Sequence, residues 1–305
     1  MYKEKRGAHS AFVPIRGLKY HVLQWQGGDL QPGLPPVFLV HGWMDVGASY
    51  QFMVDALSDH FLQGRRLIAP DWRGFGLTHA PGDAFWFPDY MADLEFLIDA
   101  LAPGQAIDLV GHSMGGNVSM CYAGVRPERI RRVVNLEGFG MAATRPAQAA
   151  GRYGQWMDEL KALHTGELAL RPYPDQAGVA HRLMKTNPRL DADKASWLAS
   201  HWARPDAQGQ WHILGQAGHK LKNPYLYRWD EMQDIWKRIS APVLAVEASS
   251  NSMGSWWKGA YTLADYHERL KNIAHVQVAR IEEAGHMLHH DQPQALAELI
   301  ENFLA

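Results

Sequence analysis

The sequence predicts an α/β fold: a mostly parallel sheet with helices on both faces and an inserted helical cap. Two observations carry this expectation. Apolar runs too short for helices alternate with helix-like stretches, and the alternation lapses once, between Phe139 and about Trp229, before strand-like runs resume. The lapse is therefore read as an insertion into one sheet, giving a core of residues 1–138 and 230–305 around a cap of residues 139–229.

Each element follows from its local pattern. "HSAFVPI" and "LKYHVLQW" flank Arg16-Gly17 and predict a β-hairpin, and the Gly/Pro-rich "GGDLQPGLPP" is a connecting loop. "PVFLV", "RRLIAP", "AIDLV", "IRRVVNL", "APVLAV" and "AHVQVARI" are the strands of the sheet, and "YMADLEFLIDALA", "GGNVSMCYAGV" and "QALAELIENFLA" are helices between or after them. In the cap, "QAAGRYGQWMDELKAL", "DQAGVAHRLMKT" and "DADKASWLASHW" predict short helices; Trp156, Trp197, Trp202, Trp211 and Trp229 supply its own core and its seam with the sheet. Chemistry is expected at the carboxyl ends of the parallel strands.

Composition narrows the function classes. The 305 residues are 47% apolar, enough for a substantial core, and 30 Lys and Arg nearly balance 32 Asp and Glu. Such balance gives no electrostatic footprint for nucleic acid or an anionic membrane, and a weakly charged small molecule is the natural partner. A single cysteine, Cys121, excludes an internal disulfide and any multi-cysteine metal site; it is expected on a core helix. No apolar leader follows the charged "MYKEKRGAHS", and no apolar run reaches about 20 residues. A cytoplasmic protein without stable membrane insertion, cofactor or metal is expected.

The strongest chemical signal is "LVGHSMGG", where a strand ends at Gly111 and a helix begins after Ser113. Gly-x-Ser-x-Gly at a strand-to-helix turn is a nucleophile elbow, with the serine on a strained turn that lifts its hydroxyl above the sheet. A serine hydroxyl needs a base. Of 16 histidines, His286 in "IEEAGHMLHHDQP" follows the last strand-like run and precedes the final helix, at the same sheet edge. His289 and His290 lie further toward that helix and are expected to face solvent or cap it. A tetrahedral intermediate needs amide donors, expected from the Met114 N–H at the helix start and the Trp43 N–H in "FLVHGWMD".

Taken together and in order, "HGW", "DWRGFGLT", "GHSMGG" and "AGHMLHH" resemble the α/β-hydrolase superfamily over nearly the whole chain, and "HGWMDVGASY" with "NPYLYRWDE" resembles its capped, esterase-type serine hydrolase-like branch. The resemblance implies that Asp71 and Arg73 shape a turn beneath the site. It also implies a triad acid between nucleophile and histidine in chain order. In most members that acid follows the strand matching "APVLAVEASSN", where this chain has Asn251, an amide without the required charge. Other members, including several haloalkane dehalogenases, carry it at the end of the strand after the nucleophile helix; here that strand ends in Glu137. Glu247, at the end of the next strand, is the rival.

The implied activity is hydrolysis of carboxylic esters with short to medium, apolar acyl groups, through an acyl-enzyme on Ser113 with His286 as base and Glu137 as acid. Met44, Phe139, Met287 and Trp256 are the substrate-binding candidates. Carbon–carbon bond hydrolysis or lactone cleavage on the same triad, and non-enzymatic binding of a small molecule, are the alternatives.

Overall fold

The computed structural model describes residues 2–31 and 33–305; Met1, and Pro32 in the loop expected at 27–36, lie outside the described residues. Ten strands occur among the described residues: β1 (His9–Ile15), β2 (Leu18–Gln26), β3 (Val37–Val40), β4 (Arg66–Pro70), β5 (Ile107–His112), β6 (Ile130–Leu136), β7 (Ala203–Pro205), β8 (Trp211–Ile213), β9 (Val243–Ala248) and β10 (Val276–Ile281). Eight of them form one sheet in the order β1-β2-β4-β3-β5-β6-β9-β10. The expected N-terminal hairpin pairs antiparallel and joins β4 antiparallel, and every later pairing is parallel. Strands β3, β5 and β9 are buried at every position, so their sequences read as continuous apolar runs rather than alternating ones.

The helices are α1 (Gln51–Ala56), α2 (Asp59–Leu62), α3 (Phe87–Leu101), α4 (Met114–Val125), α5 (Ala149–His164), α6 (Gln176–Thr186), α7 (Ala192–Trp202), α8 (Trp229–Trp236), α9 (Met253–Trp257), α10 (Leu263–Leu270), α11 (Leu288–Asp291) and α12 (Pro293–Leu304). They divide the core in two. On one face Phe52, Met53, Leu296 and Ile300 pack with Val110 and Leu244; on the other Leu94, Leu97, Val118, Trp236 and Tyr266 pack with Leu109 and Val243. Adjacent residues of one buried strand thus point to opposite layers, as the period of two requires.

Helices α5, α6 and α7 and the β7–β8 hairpin stand between β6 and β9. Asp175 and Asp191 start α6 and α7 by accepting the Gly178 and Lys194 N–H groups at 2.7 and 2.9 Å, which satisfies donors a helix start leaves free. Val179 and Leu183 of α6 and Ala195, Leu198 and Ala199 of α7 are buried in the first of the two core layers. Trp197 carries the seam onto α1, its ring edge-on to Phe52 at 5.6 Å. The β7–β8 hairpin was not legible: three-residue strands separated by polar residues carry no usable alternation.

Helix α4 lies against α8 through Gly124, where a Cβ would sit 2.1 Å from the Ile235 carbonyl oxygen. Alanine is the better helix former by about 1 kcal/mol, but backbone cannot yield as a side chain can. The clash wins, and Gly124→Ala is expected to destabilise the fold by about 2 kcal/mol, read as a lower urea midpoint at unchanged m. An unchanged or raised midpoint would show that α4 and α8 are free to separate.

Candidate active site

The site is built at the carboxyl edge of β3, β5, β6 and β9. Ser113, directly after β5, has φ 52° and ψ −112°, the strained turn expected of an elbow. Two contacts explain why only glycine flanks it. A Cβ on Gly115 would lie 2.1 Å from the Val40 carbonyl oxygen, and one on Gly111 would lie 2.4 Å from the Gly115 carbonyl oxygen and the Ser119 hydroxyl. The Ser113 N–H continues the sheet ladder by donating to the Leu136 carbonyl at 2.8 Å.

The same ladder places Glu137. Its N–H donates to the Val246 carbonyl at 3.0 Å, and its own backbone has φ 54°. Asn135 holds this turn: its side chain accepts the Gly138 N–H at 2.9 Å, donates to the Gly138 carbonyl at 2.9 Å, and donates to the Tyr266 hydroxyl at 3.1 Å. The Glu137 side chain is 1% exposed. Its Oε1 accepts the Ala248 N–H at 2.9 Å, and its Oε2 accepts His286 Nδ1 at 2.9 Å. Ser252 Oγ stands 3.3 Å from the same ring nitrogen.

Burial dominates the electrostatics. It pushes the Glu137 carboxyl up to about 7, against the lowering effect of the hydrogen bonds from Ala248 and Ser252. Burial also holds His286 below the usual imidazole range, so the ring is neutral at pH 7. With Glu137 ionised, Nδ1 carries the proton of the contact and Nε2 holds the lone pair. Trp256 covers this ring edge-on at 4.4 Å, and the His112 ring lies 4.7 Å away on another side. Among the described residues the Ser113 hydroxyl makes no hydrogen bond within the protein.

Glu247 does not compete for His286. It is buried at the end of β9 and hydrogen-bonded to His267 of α10. Asn251 turns its side-chain oxygen onto the Met253 N–H at 3.2 Å, serving the start of α9.

Trp43 and Met114 flank a cavity of about 160 Å³ lined also by Phe85, Trp86, Tyr90 and His219. The Trp43 indole donates to the His219 carbonyl at 3.1 Å, tying the loop after β3 to the insertion. His219 is stacked between Phe75 and Phe85 at 3.7 Å on each side, and burial pushes it down to about 3, so it too is neutral. Met114 is the first residue of α4, where a helix leaves N–H groups without intrahelical partners. Sequence reading missed Phe85, Trp86, Tyr90 and His219, because they come from a loop, the first turn of α3 and a short turn at 217–220 far away in the chain.

Of the expected substrate-binding residues, Trp256 lies against His286. Met44 sits at φ 55° beneath Gly215, and Met287 is half-buried before α11; neither borders this cavity. Phe139 is corrected: it is 2% exposed and packed edge-on to Tyr266 at 5.0 Å, so it belongs to the core. His289 and His290 are corrected as well. Both are buried, at 0% and 4% exposure, because α11 folds onto the turn at 47–50 and both rings reach Ser49. Asp71 shapes its turn as expected, accepting the Gly47 and Leu77 N–H groups at 2.7 and 2.9 Å, and Arg73 is paired with buried Asp93 at 2.6 Å.

With the geometry in place, the match of residues 35–293 to the alpha/beta hydrolase fold family decides the affiliation. The chain is an α/β-hydrolase family member. This α/β hydrolase is 26% identical over 276 residues to the serine hydrolase-like protein of Danio rerio, covering 88% of this chain and 81% of that one. Over 111 residues it is 38% identical to 2-hydroxy-6-oxo-2,4-heptadienoate hydrolase of Pseudomonas putida, a stretch that is 35% of this chain and 38% of that one. The thioesterase domain from the curacin biosynthetic pathway superposes with a TM-score of 0.80 at 22% identity, covering 96% of this chain and 99% of that one. Among the described residues of this α/β hydrolase, no helix is long and apolar enough to cross a membrane.

The His286 to Glu137 contact has a spectroscopic signature. A strongly downfield imidazole proton is expected in the proton NMR spectrum of the free protein. It should vanish in Glu137→Gln and persist in Glu247→Gln; the opposite pattern would put Glu247 in the role.

Proposed function

We propose that this protein is a serine hydrolase of neutral carboxylic esters with short, apolar acyl groups. The observation that carries the reading is the 2.9 Å contact between His286 Nδ1 and the buried Glu137 carboxyl, made one strand away from the Ser113 elbow. Nucleophile, base and orienting acid then stand at one sheet edge in the order the chemistry needs.

In the proposed reaction the His286 Nε2 lone pair takes the Ser113 proton as Oγ attacks the ester carbonyl. The oxyanion forms toward the Trp43 and Met114 N–H groups, the donors that the loop after β3 and the start of α4 would supply. Glu137 stabilises the imidazolium that develops. His286 returns the proton to the leaving alcohol, then deprotonates a water that cleaves the acyl-enzyme.

The cavity supports the substrate class. An engineered apolar cavity of about 150 Å³ accommodates one benzene, so 160 Å³ takes a short acyl chain or a single ring. Its lining is aromatic and carries neither Lys nor Arg, and His219 there is neutral. A dienoate carboxylate would lie in that cavity without a counter-ion. The local 38% identity to the heptadienoate hydrolase favours carbon–carbon bond hydrolysis as a second reading, and a substrate panel with that dienoate beside p-nitrophenyl esters separates the two.

Ser113→Ala is expected to lower kcat/KM for p-nitrophenyl butyrate by 10³-fold or more, and Glu137→Gln by about 10²- to 10⁴-fold. Turnover unchanged in Ser113→Ala would end the hydrolase reading. The acid limb should report Glu137. Above pH 7 its carboxylate is ionised and supports the imidazolium; as pH falls through about 7 it is protonated and the support is lost. kcat/KM should therefore drop tenfold per unit below about pH 7. A limb centred near pH 4 would assign the essential proton elsewhere.

A further inference from the structure

Beneath the candidate nucleophile lies a buried group of side chains that the hydrolytic reading does not use. Asp45, His112 and His289 are 4%, 2% and 0% exposed. One donor atom from each lies within 4.8 Å of the other two. Asp45 Oδ2, His112 Nδ1 and His289 Nδ1 are all buried, and none has a hydrogen-bond partner among the described residues.

The partners of the remaining atoms fix what those three offer. His112 Nε2 faces the His286 main-chain carbonyl at 2.8 Å; a carbonyl only accepts, so Nε2 carries the proton and Nδ1 is a bare lone pair. Ser49 has one proton and meets His290 Nε2 at 2.6 Å and His289 Nε2 at 3.3 Å. With the Ser49 proton directed to His290, His289 Nε2 donates to the Ser49 oxygen and His289 Nδ1 is bare. Asp45 Oδ1 already accepts from the Trp202 indole at 3.0 Å and the Val46 N–H at 2.9 Å, leaving Oδ2 without a partner among the described residues. Three buried atoms able to ligate a metal therefore converge without partners among the described residues, an arrangement that a cation relieves.

We propose that Asp45, His112 and His289 form a three-ligand site for a divalent transition ion of the zinc class. Two imidazoles and one carboxylate are the donor set such ions take, and three protein ligands leave one coordination position for water. A tetrahedral ion with ligands at about 2.0–2.1 Å holds them about 3.4 Å apart, so small rotations of side chains now within 4.8 Å close the site. Gly42 leaves the room: a Cβ there would lie 2.9 Å from His112 Nδ1. Both imidazoles already have the outer contact that orients a metal-bound histidine, the His286 carbonyl for one and Ser49 for the other. An ion on His112 Nδ1 withdraws electron density from the ring and tightens the Nε2–H grip on His286, so occupancy is felt at the candidate base.

The test is binding to the chelator-treated full chain. Isothermal titration with Zn²⁺ is expected to give one site per chain with micromolar or tighter affinity, Co²⁺ to give visible absorption bands of a tetrahedral ion, and Mg²⁺ to give neither. Asp45→Asn, which keeps the oxygen that Trp202 and Val46 use, and His289→Gln should each weaken Zn²⁺ binding by about 100-fold. Circular dichroism and the urea midpoint establish that each variant is folded. Absence of saturable binding would overturn the proposal and leave a buried water as the occupant. Unchanged affinity in a folded Asp45→Asn or His289→Gln would also overturn it, by placing the ion on other histidines.

Discussion

The arrangement of the site depends on a carboxyl group kept out of water. Glu137 sits 1% exposed at the end of β6, and burial moves it from about 4.5 in a free chain to about 7. That difference is worth about 3 kcal/mol. Its sign is specific: an unfolded chain releases the proton near pH 4.5 while the folded one holds it, so the fold loses this amount as pH rises from 4.5 to 7 and regains none of it above. A charge at that position is tolerated because hydrogen bonds from the Ala248 N–H, from Ser252 and from His286 take the place of solvent.

Holding it there shapes the backbone around it. Met44, Ser113 and Glu137, which follow β3, β5 and β6, all have positive φ, at 55°, 52° and 54°. Each such residue costs of order 1–3 kcal/mol, which persists only where surroundings over-determine it. Here the determinants are main-chain bonds that extend the sheet past its strands, from Ser113 to Leu136 and from Glu137 to Val246, and the Asn135 side chain clasping Gly138. Strain and ladder are two sides of one device: three adjacent strands end in sharp turns, and the sheet keeps those turns in register.

How much of this was legible follows from where the information lies. Strand-helix alternation and the Gly-x-Ser-x-Gly turn are local, so the sheet, Ser113 and the neighbourhood of His286 could be read directly. Glu137 needed one further step, the amide at Asn251, because a carboxylate ending an apolar strand has many innocent explanations. Tertiary packing decided the rest. Phe139 follows Glu137 by two residues yet turns into the core under Tyr266, and His289 and His290 look like solvated helix residues until α11 is laid on Ser49. Ser252 carries no signal of its own, and Asn135 shows in the sequence only as a polar residue inside the apolar strand of "VVNLEG".

The insertion adds the remaining constraint. Its contact with the core is not confined to apolar packing, since the Trp43 indole on the loop after β3 donates to the His219 carbonyl and His219 is itself held between two phenyl rings of the core. The loop that carries the proposed oxyanion donor is therefore pinned by the element that roofs the cavity. Any change in the insertion that moves His219 would move Trp43 with it. In the proposed reaction, substrate size and oxyanion geometry are thus linked through one hydrogen bond of 3.1 Å, and enlarging the cavity there would loosen the proposed donor.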